Sequence, residues 1–194
     1  MENVLALLRD TGAMLEGHFL LSSGRHSDRY FQCAKLLKHP AMAEMALMDV
    51  AEKIRRDVRS NALEVDAVVG PAMGGIIVAY ELGRQLGLPA LFAERDESGA
   101  MALRRGFELR EGQKILIAED VITTGKSYGE CAAALESLGA EVVALACVVD
   151  RRQGGEIPWP FYPACRVEVA SWDADDCDLC RRGGVAEKPG SRKT

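Results

Sequence analysis

Glu119 and Asp120 stand side by side at the end of an apolar run, and the residues that follow, V-I-T-T-G-K-S, make a turn of small, hydroxyl-bearing side chains. The free backbone N–H groups and hydroxyls of Thr123, Thr124, Gly125, Lys126 and Ser127 can surround a phosphate. The positive end of the helix that follows would assist them, and Gly125 lets the backbone approach closely. Two carboxylates next to a bound phosphate would repel it unless they had another partner, and either vicinal ribose hydroxyls or a divalent cation would serve. Phosphate and ribose in that order describe a ribose 5-phosphate. Read one residue at a time, the acidic pair can equally cap a helix and T-T-G can be only a turn; the contiguous block is what makes the ligand reading specific. The spacing is neither that of a Walker loop nor that of a dinucleotide fingerprint.

These groups need a frame that puts a turn at a strand end. Residues 115–118 read as a strand, followed by the acidic turn, a helix with Cys131, Ala134, Leu135 and Leu138 on one face, and a strand over 142–149. Residues 66–92 show the same strand, Gly/Pro turn, helix and strand order, with Gly87 ending the helix. Such crossovers require parallel strands, and runs of Val, Ile, Leu and Ala without alternation suit a sheet covered on both faces. In an open parallel sheet ligands bind beyond the carboxyl ends of the strands, where the acidic turn lies. Ala43, Ala46, Leu47, Val50, Ala51 and Ile54 recur at helical spacing, and Met42, Met45 and Met48 beside them are expected to fill gaps in the core.

With 194 residues, 48% of them hydrophobic, the chain can bury one sizeable core, and one domain is expected. Segments 1–40 and 157–185 break the βα rhythm and are expected to form a small hood over a core of residues 41–156, with the last nine residues a loosely held tail. The formal charge of −5 disfavours a nucleic-acid or anionic-membrane partner, so any anionic ligand must be held locally. The first residues lack a basic segment leading into a long apolar one, and no apolar run is long enough to span a bilayer. A cytoplasmic location is therefore expected.

The block E-D-V-I-T-T-G-K-S resembles the phosphoribosyl pyrophosphate (PRPP) motif of the type I phosphoribosyltransferases. Three further segments narrow the resemblance to the orotate phosphoribosyltransferase family: F-L-L-S-S-G-R-H-S-D-R-Y-F-Q-C at 19–33, V-V-G-P-A-M-G-G-I-I-V-A at 68–79 and V-V-D-R-R-Q-G-G at 148–155. The resemblance implies the family's α/β fold, an open, mainly parallel sheet flanked by helices with a small hood. It also implies transfer of ribose 5-phosphate from PRPP to orotate with Mg2+, giving orotidine 5'-monophosphate and pyrophosphate in pyrimidine synthesis, and a homodimer with shared sites. It puts Glu119 and Asp120 on the ribose hydroxyls, and Val121, Ile122, Thr123, Thr124, Gly125, Lys126 and Ser127 around the phosphate. Ser22, Met73, Gly74 and Arg95 would also touch PRPP. Arg151, Tyr30, Phe31 and again Thr123 would face orotate, Arg151 through a two-pronged pairing with its carboxylate.

The lysines usual in the family's mobile loop are missing between residues 93 and 113, and Arg104 and Arg105 are the candidates to supply that charge as catalytic groups. A purine-specific phosphoribosyltransferase and a non-catalytic PRPP-sensing regulator are the alternatives within the fold.

Six cysteines in a chain of this length and setting are expected to be reduced. Cys177 and Cys180 have the C-x-x-C spacing of zinc ligands, but the sequence offers no second pair and only Cys165 nearby, so plain thiols are expected there. His18, His26 and His39 form no metal-spaced set, although His26 lies within the segment that resembles the base-covering flap.

Overall fold

A computed structural model of the chain describes residues 2–21 and 23–189. Helix α1 (Glu2–Asp10) leads into an antiparallel hairpin, β1 (Met14–Leu20) and β2 (His26–Phe31), and then into α2 (Ala34–Leu37) and α3 (Pro40–Arg59). The core units follow: β3 (Ala67–Pro71), α4 (Gly74–Leu86), β4 (Ala90–Arg95), β5 (Met101–Leu103), β6 (Lys114–Ile122), α5 (Lys126–Glu136) and β7 (Glu141–Asp150). The chain then adds β8 (Phe161–Arg166), β9 (Ser171–Trp172) and a short helix, α6 (Asp178–Arg181).

Six strands form one sheet in the order β5-β4-β3-β6-β7-β8, all parallel except the edge strand β5. The centre is apolar because both faces are covered. On one side Leu116, Ala118, Ala144 and Val148 meet α3 and α4 through Leu47, Val50, Ile54, Val78 and Leu82; on the other Ile115, Ile117, Leu145 and Cys147 meet Cys131 and Leu135 of α5. The six apolar positions expected on α3 are all buried. A second, three-stranded sheet, β1-β2-β9, ties the N-terminal hairpin to the C-terminal segment.

Several sequence expectations are revised. The acidic pair does not follow its strand but lies within it, since β6 continues to Ile122 and stays in register with β7 as far as Asp150. Leu138 lies beyond the end of α5 and is exposed, so it is not on the buried face. Met45 and Met48 are exposed by about half, because they fall on the outer side of α3 while Met42 packs inward. β8 pairs with β7 and extends the main sheet, and α1 supplies Val4, Leu7 and Leu8 to the main core, so these parts of the expected hood belong to the core layers. Residues 186–189 are not loose: Glu187 bridges to Phe19, exchanging backbone hydrogen bonds with His18 and Leu20. Residues 190–194 lie outside the described part.

Candidate active site

The carboxyl ends of β3, β6 and β7 meet at one place, and the parallel register fixes what gathers there. Glu119 is buried, and Asp120 next to it aims at the start of α4. A Cβ at Gly74 would lie 2.3 Å from the Asp120 carboxyl carbon, so only glycine allows this approach. Burial, and then the neighbouring Asp120, push the Glu119 carboxyl up to about 9. Burial raises Asp120 as well. Each carboxyl accepts a local backbone hydrogen bond, from the N–H of Asp120 to Glu119 and from the N–H of Val121 to Asp120, and none of the described ion pairs uses either. Both carboxyls are thus biased towards their neutral forms, and a cation beside them would reverse that bias.

The small-residue turn follows directly. Gly125 adopts φ 83°, a left-handed conformation that glycine takes without strain, and α5 starts there with no side-chain cap. Its first N–H groups therefore face a cleft lined by Glu119, Thr123, Thr124, Gly125, Lys126, Ser127 and Tyr128. The Lys126 ammonium is solvent-exposed and leans towards Glu130 at 3.8 Å. Val121 packs against the main core, and the Ile122 side chain is buried in the second core layer, so what these two can present to a ligand is backbone. Met73 caps the start of α4 with its side chain largely exposed.

Arg151 and Arg152 part company. Asp150 is fully buried; burial pushes its carboxyl up, but hydrogen bonds from Arg152 and Arg166 outweigh this and hold it below the ordinary aspartate value. Arg152 pairs with it at 3.0 Å and Arg166 at 2.9 Å. Arg151 donates its backbone N–H to the carbonyl of Ile122, which sets it beside the small-residue turn. Its guanidinium lies over the Phe31 ring at 5.3 Å, and its Nε is buried without a hydrogen-bond partner. Asp28 and Tyr30 of β2 are close enough to act on its charge. The hairpin thus folds over the ends of β6 and β7, with Phe31 in the core and the Tyr30 hydroxyl 3.4 Å from the Gln32 side chain.

The residue 33–163 stretch matches the phosphoribosyl transferase domain model. An orotate phosphoribosyltransferase of Caldicellulosiruptor bescii is 45% identical over 190 residues, which cover 97% of this chain and 96% of that protein. The chain belongs to the orotate phosphoribosyltransferase family. Among solved structures, the orotate phosphoribosyltransferase of Aeropyrum pernix superposes with a TM-score of 0.68 at 26% identity, over 84% of this chain and 93% of that one. The Mycobacterium tuberculosis enzyme of the same name, solved with inorganic phosphate, shares the fold at a TM-score of 0.62 and 24% identity, over 86% and 96% of the two chains. The family's fold, an α/β parallel sheet flanked by helices, is the one described above.

Other members of the expected site are held in ways the family resemblance does not imply. Arg95 is tied to Glu130 of α5 and to the carbonyl of Gly99. Arg105, at φ 61°, is clamped by both oxygens of Glu94 and lies over the Phe92 ring, whereas Arg104 is exposed and makes no ion pair among the described residues. Ser22 lies outside the described residues. Arg25, two positions beyond Ser23, binds Ser171 and Asp173 and so fastens the hairpin to the C-terminal segment.

Sequence reasoning missed Asp28. Its Oδ1 is buried without a partner near Arg151, and the alternation of β2 was the available signal. It also misjudged the histidines. His18 and His26 are not isolated but meet Cys177 and Cys180, while Cys165 is elsewhere, donating to the carbonyl of Val148. His26 therefore turns towards the cysteines. Cys33, Cys131, Cys147 and Cys165 are buried free thiols whose acidity burial suppresses.

Proposed function

We propose that the chain transfers ribose 5-phosphate from PRPP to orotate, releasing pyrophosphate and forming orotidine 5'-monophosphate. The observation that carries the choice of base is Arg151: a partly buried cation with an unpartnered Nε, set between Phe31 and the phosphate turn, suits a planar, carboxylate-bearing ring. A neutral purine would leave that charge unpaired. The formal charge of −5 weighs against a regulator acting on nucleic acid.

In this reading the N–H groups and hydroxyls of residues 123–127 hold the 5'-phosphate, and Glu119 and Asp120 accept hydrogen bonds from the ribose hydroxyls. Backbone amides at Met73 and Gly74 take the pyrophosphate. Thr123 and Arg151 orient the base so that its nitrogen meets the anomeric carbon as the bond to pyrophosphate breaks and that carbon becomes cation-like. Preorganised donors around the departing charge lower the barrier without reorganising. Tyr30 and Phe31 screen this place from water. Arg104 and, once released from Glu94, Arg105 would add charge at the pyrophosphate end, with Arg95 behind them.

Two adjacent carboxyls pushed towards their protonated forms fit a divalent cation, and Mg2+ bound with PRPP would supply charge neutralisation for the leaving pyrophosphate. A homodimer is part of the same proposal. Met45 and Met48 on α3 and Ile77 and Tyr80 on α4, helices joined by Glu44–Arg84, expose apolar surface suited to a second copy. No helix among the described residues is long and apolar enough to cross a membrane; work in the cytoplasm is part of the same proposal.

The test is the fall in orotate absorbance on adding PRPP and Mg2+, run beside adenine and hypoxanthine. Orotate consumption alone supports the proposal. Turnover of a purine with none of orotate would overturn it.

A further inference from the structure

We propose that His18, His26, Cys177 and Cys180 form a structural zinc site that fastens the β1–β2 hairpin to the C-terminal segment. Their candidate donor atoms all lie within 4.8 Å of one another. His18 Nε2 is 2.9 Å from His26 Nδ1, 3.4 Å from Cys177 Sγ and 3.7 Å from Cys180 Sγ, and Cys180 Sγ is 3.3 Å from His26 Nδ1. A tetrahedral site with Zn–N of about 2.05 Å and Zn–S of about 2.3 Å has edges of about 3.3 Å between nitrogens, about 3.5 Å between nitrogen and sulfur and about 3.8 Å between sulfurs. The observed separations cluster around these values, and two imidazoles with two thiolates are a set that zinc prefers.

Hydrogen bonding alone does not account for the arrangement. An imidazole nitrogen offers either one proton or one lone pair. His18 Nε2 nonetheless has three polar neighbours at contact distance, so at most one of them can be a satisfied hydrogen bond. Four donors pointing at a shared centre satisfy all of them at once when that centre is a cation. Nor is a disulfide formed, since both cysteines are free thiols. The His18 Nδ1 atom is buried without a partner, so no hydrogen bond on its far side orients the ring; the convergence does.

Local structure explains how each ligand arrives. The register of β1 with β2 shifts between Glu16 and Phe19, and His18 sits in that irregularity, which re-aims a side chain that strict alternation would turn elsewhere. His26 begins β2 opposite Leu20. Cys177 and Cys180 flank the first turn of α6, where the N–H of Arg181 bonds to the carbonyl of Cys177, so both sulfurs fall on one side of a tight knuckle. Cys177 is fully buried, and His26 is buried as well. The contacting ligands are 154 to 162 residues apart in sequence, and the hairpin they hold carries Tyr30 and Phe31, so the ion would set the flap over the base without touching substrate.

The proposal does not depend on which base the enzyme uses, and its test reads metal directly. The full chain, expressed with added zinc and purified without chelators, is expected to hold one zinc per chain by elemental analysis. The double variant Cys177→Ser/Cys180→Ser and, separately, His18→Ala are expected to lose it. Because those variants can fail to fold, the unmodified chain grown with Co2+ provides a second reading: tetrahedral cobalt with thiolate ligands gives intense visible bands and a near-ultraviolet charge-transfer band. Zinc well below one per chain together with a cobalt spectrum lacking those bands would overturn the proposal, as would a Cys177–Cys180 disulfide in the native mass.

Discussion

Replacing Arg151 and Arg152, one at a time, with methionine separates substrate recognition from fold stability at two adjacent residues. Arg152 and Arg166 hold the fully buried Asp150, so Arg152→Met removes one of two partners from a buried carboxylate. Breaking a buried pair costs about 3–5 kcal/mol, and because Arg166 remains, the lower end, about 3 kcal/mol, is expected. For a chain of this size that lowers Tm by about 6–12 °C. Arg151 is the opposite case. Its Nε has no partner to lose, and the Phe31 ring, worth about 1 kcal/mol, with the attraction of Tyr30 and Asp28, is offset by the relief of a partly buried charge. Arg151→Met should therefore leave Tm within about 2 °C of the parent. Towards orotate the order reverses. Leaving the substrate carboxylate without its partner costs about 2–5 kcal/mol, which is about 30- to 5,000-fold in kcat/KM for orotate. Arg151→Lys should restore part of this, because a point charge keeps the attraction but loses the two-pronged geometry. The assay is orotate absorbance at varied orotate and saturating PRPP, beside thermal unfolding of all four proteins. If Arg151→Met were as unstable as Arg152→Met and kept its kcat/KM for orotate, the division of labour argued from the unpartnered Nε would be wrong.

Four more outcomes follow. With Glu119 raised to about 9 in the free chain, binding of Mg2+ and PRPP should expel protons near neutral pH, so the calorimetric binding enthalpy should vary with the ionisation enthalpy of the buffer; a value independent of buffer would contradict it. The sign for the fold itself is that a raised acid stabilises fully below its ordinary value of 4.5 and loses that contribution as pH climbs towards 9, a decline that Glu119→Gln should flatten in pH-dependent unfolding. Replacing Arg104 and Arg105 together by Ala should reduce turnover with PRPP by about 10-fold or more if they serve the pyrophosphate, whereas Arg105→Ala alone should cost less, since Glu94 already occupies that side chain; unchanged kinetics in the double variant would reject the assignment. Tyr80→Glu, at a side chain 66% exposed, should halve the mass measured by light scattering while the chain stays folded, and an unchanged mass would exclude the α3/α4 face as the subunit contact.

How much of this was legible in the sequence differs from element to element. Helix α3 could be read because its apolar positions recur at a period that only a helix converts into one face, and the βα units because parallel strands buried on both sides have no polar alternation to obscure them. The boundary of β6 was misjudged because Glu119 and Asp120 read as the end of a strand, while the register with β7 carries the ladder on to Ile122. The roles of Arg151 and Arg152 were indistinguishable as letters; which one reaches Asp150 depends on strand geometry. Met45 and Met48 were expected in the core, yet the same period that buries Ala43, Ala46, Leu47, Val50, Ala51 and Ile54 turns both to the outer side of the helix, where they are exposed by about half.

By itself, the sequence determined that this is an α/β protein with an acidic pair and a small-residue turn at a strand end, because hydrophobic period, glycine placement and the order of small and acidic residues act over short stretches of chain. Only the tertiary structure decided which arginines were taken by Asp150 and Glu94 and which was left with an unpartnered Nε, and that two histidines of an N-terminal hairpin meet two cysteines near the other end. Those outcomes depend on the path of the whole chain: side chains 154 to 162 residues apart meet only after the sheets have closed, and no local pattern records the distance between them.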